Sequence, residues 1–175
     1  MSELVARTGR QLQRYQDGCR LVAGCIPFRY RNHVGNDSGA CEKDVEGGWE
    51  NDETVEQAAI REAVEEAGVR GDLLHFLGYY CFKSKTLQDE FCPEGLCKAA
   101  MFVLLVKEEL QFWPEQSTRQ RSWLSIPEAM DRCRHQWMRK ALEEGFLKWH
   151  EDQMKMTRPK EENLLISSAL SPDLD

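Results

Sequence analysis

The chain lacks any run of about 18 uninterrupted apolar residues, the length a membrane-crossing helix needs, so it is expected to be soluble with no membrane partner. It also lacks a surplus of positive charge: 23 Lys and Arg stand against 30 Asp and Glu, a formal net charge of -7. That balance argues against a nucleic-acid polymer as partner, because general binders neutralise phosphates with excess Lys and Arg. No Cys-x-x-Cys pair occurs among the seven cysteines (Cys19, Cys25, Cys41, Cys81, Cys92, Cys97 and Cys133). Their odd number and scatter suit reduced thiols in an intracellular protein and give no zinc site. Internal repeats and a secretory apolar stretch are absent as well. The amino-terminal Arg7, Arg10 and Arg14 face a single acid, Glu3. They form either a weak organelle-targeting segment or the basic start of the folded domain, which leaves a mitochondrial or a cytosolic location open.

What is present suffices for one domain with tails: 175 residues, 41% hydrophobic and 30% charged. Residues 1–19 read as an amino-terminal segment, 20–154 as the domain and 155–175 as a mobile tail. Arg20 to Tyr30 is a strand candidate that Gly24 and Pro27 mark as an edge or bulged strand. Asn32 to Glu46 is polar and Gly-rich, a loop. Leu73 to Phe82 and Ala99 to Val106 are the strongest strand candidates, with a shorter one at Arg121 to Ile126. Thr54 and Gln57 form a capping box for a helix that runs to Ala67 and stops at Gly68. Ser125, Pro127 and Glu128 open a second helix, expected to continue to about Met154 with Ala129, Met130, Cys133, Trp137, Ala141, Leu142 and Phe146 inward. Strands and helices without regular alternation indicate an α+β sandwich.

The chemistry concentrates in the first helix. At 100° per residue, Ile60, Val64 and Ala67 share one side, the expected core stripe, while Glu62, Glu65 and Glu66 share the other beside Ala58 and Ala59. Like charges at these spacings cost a helix about 0.2 to 0.5 kcal/mol per pair unless something neutralises them. A hard divalent cation such as Mg²⁺ or Mn²⁺ would do so. Arg61, four residues before Glu65, is placed to orient it.

Gly47, five residues, Glu53, seven residues, and then Arg61-Glu62-Ala63-Val64-Glu65-Glu66-Ala67-Gly68-Val69 resembles the signature of the Nudix hydrolases at every fixed position. GGWENDE at Gly47 to Glu53, EFCPEGLCKAAMF at Glu90 to Phe102 and RQRSWLSI at Arg119 to Ile126 are similar to the plant members related to diphosphoinositol polyphosphate and diadenosine polyphosphate hydrolases. Arg14-Tyr15 and Gly18 extend that likeness. The resemblance implies an α/β/α sandwich on a mixed sheet and a metal-dependent hydrolase of pyrophosphate linkages in nucleoside diphosphate derivatives, dinucleoside polyphosphates or diphosphoinositol polyphosphates. It further implies that Glu62, Glu65 and Glu66 hold Mg²⁺ or Mn²⁺, with Glu65 or Glu62 taking the proton from water. Gly47, Glu53, Arg61 and Gly68 would then be structural. Lys83, Lys85, Lys98, Arg119, Arg14 and Arg20 are the candidate ligands for a small anionic phosphorylated substrate. Trp49 either stacks on that substrate or covers the loop.

One departure is visible. The family pattern has a second apolar strand before the box, whereas Lys43-Asp44-Val45-Glu46 here runs straight into Gly47, about sixteen residues short and without alternating apolar positions. The fold is therefore expected to lack one strand. A catalytically weakened module that only binds a phosphorylated ligand is the alternative reading.

Overall fold

The computed structural model describes residues 4–9, 11–30, 45–86, 88–156 and 164–166. The strands are β1 (Tyr15–Gln16), β2 (Cys19–Tyr30), β3 (Val45–Gly48), β4 (Val69–Lys83), β5 (Leu96–Glu109) and β6 (Leu164–Ile166). The helices are α1 (Val55–Glu62), α2 (Ile126–Arg132), α3 (Gln136–Lys140) and α4 (Lys148–Met156). A wider π-helical stretch, Ala63–Ala67, prolongs α1, and another, Ala141–Leu147, joins α3 to α4.

One sheet runs β1-β2-β5-β4, with β3 and β6 also paired to β2. The β2–β5 pairing is parallel and the others are antiparallel, so the sheet is mixed. Both faces are covered, which explains why β2 and β5 carry nearly continuous apolar runs rather than alternating ones. Val22, Ile26 and Phe28 of β2 and Cys97, Ala99, Met101 and Val103 of β5 face α2, α3 and the stretch after it, through Ala129, Trp137, Met138, Leu142 and Phe146. The intervening Ala23, Cys25, Ala100, Phe102 and Leu104 face α1 through Ala58, Ala59, Ala63 and Ala67. The two-residue period thus sorts one sheet onto two helical layers.

Both capping boxes form, Thr54 with Gln57 and Ser125 with Glu128. Gly68 closes the first helix in the left-handed region at φ 62°, under the Trp113 ring.

Four expectations are corrected. β2 is interior, not an edge: it pairs with β5 on one side and with β1, β3 and β6 on the other. Pro27, which has no N–H to donate, falls between Cys25, the last residue paired to β3, and Phe28, the first paired to β6. Residues 121–125 form no strand; Arg121 and Trp123 are held by side-chain contacts to the end of α1 and to Glu109. The second helix is broken where Cys133 leaves helical geometry at ψ 113°, although its inward residues are as expected. Finally, Ala67 lies in the core as expected, but Ile60 is 41% exposed and Val64 half-buried, and the rest of the core side is Ala58, Ala59 and Ala63, with Glu62, Glu65 and Glu66 buried beside them. Alanines let the helix backbone lie close on the sheet, and that closeness carries the neighbouring carboxylates inward.

Val45 and Glu46, expected in the loop, form the start of β3 and pair with Cys25 and Gly24. Most of the segment expected to lack a strand, 31–44, lies outside the described residues, as do Cys41 and Arg10. β6 falls in the carboxyl-terminal segment expected to be a tail. Among the described residues no helix is long and apolar enough to cross a membrane.

Candidate active site

Glu62 ends α1, and Glu65 and Glu66 lie in the π-helical stretch that follows; all three are at most 7% exposed. The wider turn keeps consecutive Glu65 and Glu66 both on the inner side, as local helix widenings at functional sites often do. Buried carboxylates need partners, and two arginines supply them.

Arg61 is the inner strut. Its Nε and Nη2 donate to both oxygens of Glu53, at 3.0 and 2.7 Å, and Nη2 also donates to the Gly48 carbonyl at 2.8 Å. Its Nη1 donates to Glu62 at 2.6 Å and to Glu65 at 3.2 Å. Glu53 in turn accepts the Glu50 N–H, and the Glu53 carbonyl accepts from the Trp49 indole. The glycine loop and the carboxylate helix are thereby one hydrogen-bonded unit. Burial alone would raise Glu53, but Arg61 and the Glu50 N–H bring its carboxyl below the ordinary value.

Arg119 is the outer partner. Its Nη2 lies 2.9 Å from Glu66 Oε1, and its Nε lies 2.9 Å from Glu115 Oε2. Glu66 Oε2 accepts the Glu46 N–H, and Glu65 Oε1 accepts the Arg7 N–H, both at 3.2 Å. Burial pushes Glu62 up to about 8, with Glu65 adding to the rise against Arg61. Burial likewise drives Glu66 well above its usual range and raises Glu65. The carboxyl of Glu46 is raised by burial too and is moderated by Arg20 and Arg119.

The carbonyls that the end of this helix leaves unpaired are met by residues 110–121. Leu110 N–H donates to Gly68, Glu115 N–H to Glu65, the Trp113 indole to Glu66, and Arg121 to Ala67 and Gly68. Arg121 also stacks on Trp113, 4.5 Å from its centroid.

The candidate substrate cations divide into three groups. Arg20 and Arg119 lie at the carboxylates, Arg20 donating to Gln13 at 2.9 Å. Arg14 and Lys98 line a cavity of about 280 Å³ with Tyr15, Gln16, Leu21, Trp49 and Tyr79, and none of its walls is acidic. There Arg14 sits 4.3 Å over Trp49, Lys98 sits 4.5 Å over Tyr79, and the buried Arg14 Nε–H has no hydrogen-bond partner among the described residues. Lys83 and Lys85 are exposed and pair with no site carboxylate among the described residues. Trp49 both covers the loop, through Glu53, and walls the cavity.

Sequence reasoning missed Glu46, Trp113, Glu115 and Tyr79. Only Glu46 carried a signal, as an acid directly before the box glycines.

The donor chemistry fits a hard dication: three neighbouring carboxylates, nearly buried and raised chiefly by that burial. In the described arrangement each is turned toward an arginine, and among the described residues no three acidic, His or Cys side chains converge enough to hold a metal.

A family model for the NUDIX domain matches residues 37–145. Nudix hydrolase 16, mitochondrial, of Arabidopsis thaliana is 60% identical over 170 residues, covering 88% of this chain and 94% of its own. Nudix hydrolase 13, mitochondrial, of the same plant is 44% identical over 189 residues, covering 96% and 92%. A NUDIX hydrolase from Nitrosomonas europaea shares the fold at a TM-score of 0.54 and 14% identity, covering 81% of this chain and 97% of its own. Domain match, near full-length relatives and a shared sandwich agree: the chain belongs to the Nudix hydrolases, enzymes that act on pyrophosphate bonds.

Proposed function

We propose that this protein hydrolyses a pyrophosphate linkage in a nucleoside diphosphate derivative, a dinucleoside polyphosphate or a diphosphoinositol polyphosphate, with Mg²⁺ or Mn²⁺ held by Glu62, Glu65 and Glu66. The observation that carries this reading is three nearly buried carboxylates on one helix, raised by burial, beside a cavity lined by cations without acids. When bound, a dication lowers the pKa of water and offsets phosphate charge.

The chain's own residues do the rest. Arg61 orients Glu62 and Glu65, whose carboxyls share the role of proton acceptor; burial raises both, which makes each a better base than an exposed carboxylate. Arg20 and Arg119 face the phosphates at the carboxylates. Arg14 and Lys98 take the phosphorylated half beyond the scissile bond, with the side-chain Nε–H of Arg14, unpartnered among the described residues, offering a donor. Release of two phosphorylated products from a panel of dinucleoside polyphosphates, ADP-ribose, NADH and diphosphoinositol phosphates, abolished by chelator, tests the assignment. No release from any of them with either cation removes it.

A second reading, a weakened module that binds and scarcely turns over, draws on the shortened chain. The 170 aligned positions of the 60% identical relative take up 88% of 175 residues, about 154, leaving about sixteen positions without a counterpart. A ligand-induced rise in melting temperature without turnover supports it; turnover at rates typical of enzymes, about 1 to 1000 s⁻¹, excludes it.

Mitochondrial residence is favoured over cytosolic by the names of the relatives. Arg7 pairs with Glu50 and Asp52, and Arg14 donates to the carbonyls of Glu50, Asn51 and Glu53, so both serve the fold and not merely an address. Imaging of the tagged protein decides between the compartments.

A further inference from the structure

We infer that Arg119 occupies the dication's seat on Glu66 and moves to a substrate phosphate when the dication arrives. The inference rests on the metal-binding role proposed for Glu66. It gives one positioning residue two successive partners.

The two arginines ion-paired to these glutamates are not equivalent. Arg61 grips Glu53 with two nitrogens, reaches the Gly48 carbonyl and binds two further carboxylates. Withdrawing it would strand Glu53, which is almost wholly buried, so Arg61 stays. Arg119 bridges a buried acid, Glu66, at 5% side-chain exposure, and a far more accessible one, Glu115, at 34%. Its backbone is steadied nearby, because Arg121 clamps the carbonyls of Ala67 and Gly68. A fixed chain with an ion-paired side chain pointing across the site can exchange one anion for another without moving the fold.

The charges make this exchange necessary. A guanidinium 2.9 Å from Glu66 Oε1 excludes a dication from that oxygen by contact and by repulsion. Arg20 bears on the neighbouring Glu46 carboxyl more strongly than Arg119 does, so the departure of Arg119 releases Glu66 in particular. A phosphorylated substrate brings several negative charges and offers the planar fork of arginine a bidentate partner. Metal and substrate therefore favour one another through Arg119, and by linkage the coupling is mutual.

Mn²⁺ binding, read by electron paramagnetic resonance on the full chain without substrate, tests the inference. Arg119→Gln is expected to bind Mn²⁺ about tenfold more tightly than the unmodified protein, since its competitor is gone. Arg119→Lys, which keeps the charge, is expected to stay within about threefold of the unmodified protein. Both should bind a non-hydrolysable methylene diphosphonate more weakly. Should Arg119→Gln fail to fold by circular dichroism, Arg119→Met keeps the aliphatic stem and replaces it. Equal or weaker Mn²⁺ binding by the neutral variant overturns the inference while leaving the metal site standing. No Mn²⁺ uptake by the unmodified protein, even with diphosphonate at millimolar levels, removes the metal site and this inference with it.

Discussion

The carboxylate of Glu62 lies in the space that a β-carbon on residue 47 would fill. Gly47 is thus needed for the volume it leaves empty, close under a candidate metal ligand. Gly47→Ala is expected to push Glu62 off its position and lower turnover by about 100-fold, the cost of a roughly 1 Å misplacement at a reacting centre. Steady-state kinetics with Mg²⁺ check it; an unchanged kcat would show that Glu62 has freedom the structure does not suggest.

Arg61 ties the glycine loop to the helix through four partners: Glu53, Glu62, Glu65 and the Gly48 carbonyl. Arg61→Ala leaves Glu53 buried and unpaired, which is expected to cost about 3 to 5 kcal/mol. Urea unfolding at neutral pH measures this. A loss under about 1 kcal/mol would mean that the network is slack in solution.

Glu66→Gln keeps the shape of the side chain and removes its charge. Metal-dependent turnover is expected to fall by at least about 100-fold. The Mg²⁺-induced rise in melting temperature should shrink with it, because stabilisation follows metal affinity. Retention of both would remove Glu66 from the ligand set.

Lys98 lies in the cavity without touching the carboxylates. Lys98→Gln is therefore expected to raise KM several-fold and to change kcat by less than about twofold, the signature of lost uniform binding. A fall in kcat with KM unaltered would instead place Lys98 at the reacting phosphate.

In the metal-free protein, Glu62 and Glu53 pull stability in opposite directions with pH. Glu62 is raised to about 8, so its contribution is full below the unfolded value near 4.5 and is lost as pH rises through 8. Glu53 is lowered, so its contribution is full above 4.5 and is lost as pH falls through its folded value. Melting temperature in chelator is expected to peak near pH 4.5, to decline from there to about pH 8 and to level off above it. Glu62→Gln should make this decline shallower, the remainder belonging to Glu65 and Glu66, and leave the acid limb unchanged; equally steep declines in both proteins would contradict the shift.

The helix ends were legible because their chemistry is local: Thr54 with Gln57, Ser125 with Glu128, and Gly68 are each readable within a few residues. The orientation of α1 was not. A helical wheel ranks faces by side-chain apolarity and so turns Ile60 inward, whereas close approach to the sheet selects Ala58, Ala59 and Ala63, with Arg61 compensating the acids that come along. The glutamates themselves were legible by spacing. Their outer partner and collar were not, since Arg119, Trp113 and Arg121 meet the helix across some fifty residues of chain with no period to mark them. Gly24 and Pro27 suggest an edge or bulged strand because proline is usually excluded from regular interior strands; a notch between two short partners accommodates Pro27 in the interior β2.

That notch has a further consequence. Phe28, Arg29 and Tyr30 owe their outer neighbour to Leu164–Ile166, far along the chain. Trimming the polypeptide after Met156 would uncover a row of backbone donors and acceptors on these three residues. Such a bare margin is a template on which another molecule can lay its own strand. The carboxyl-terminal stretch, remote in sequence from the glutamates, thus closes a sheet margin that would otherwise stand open.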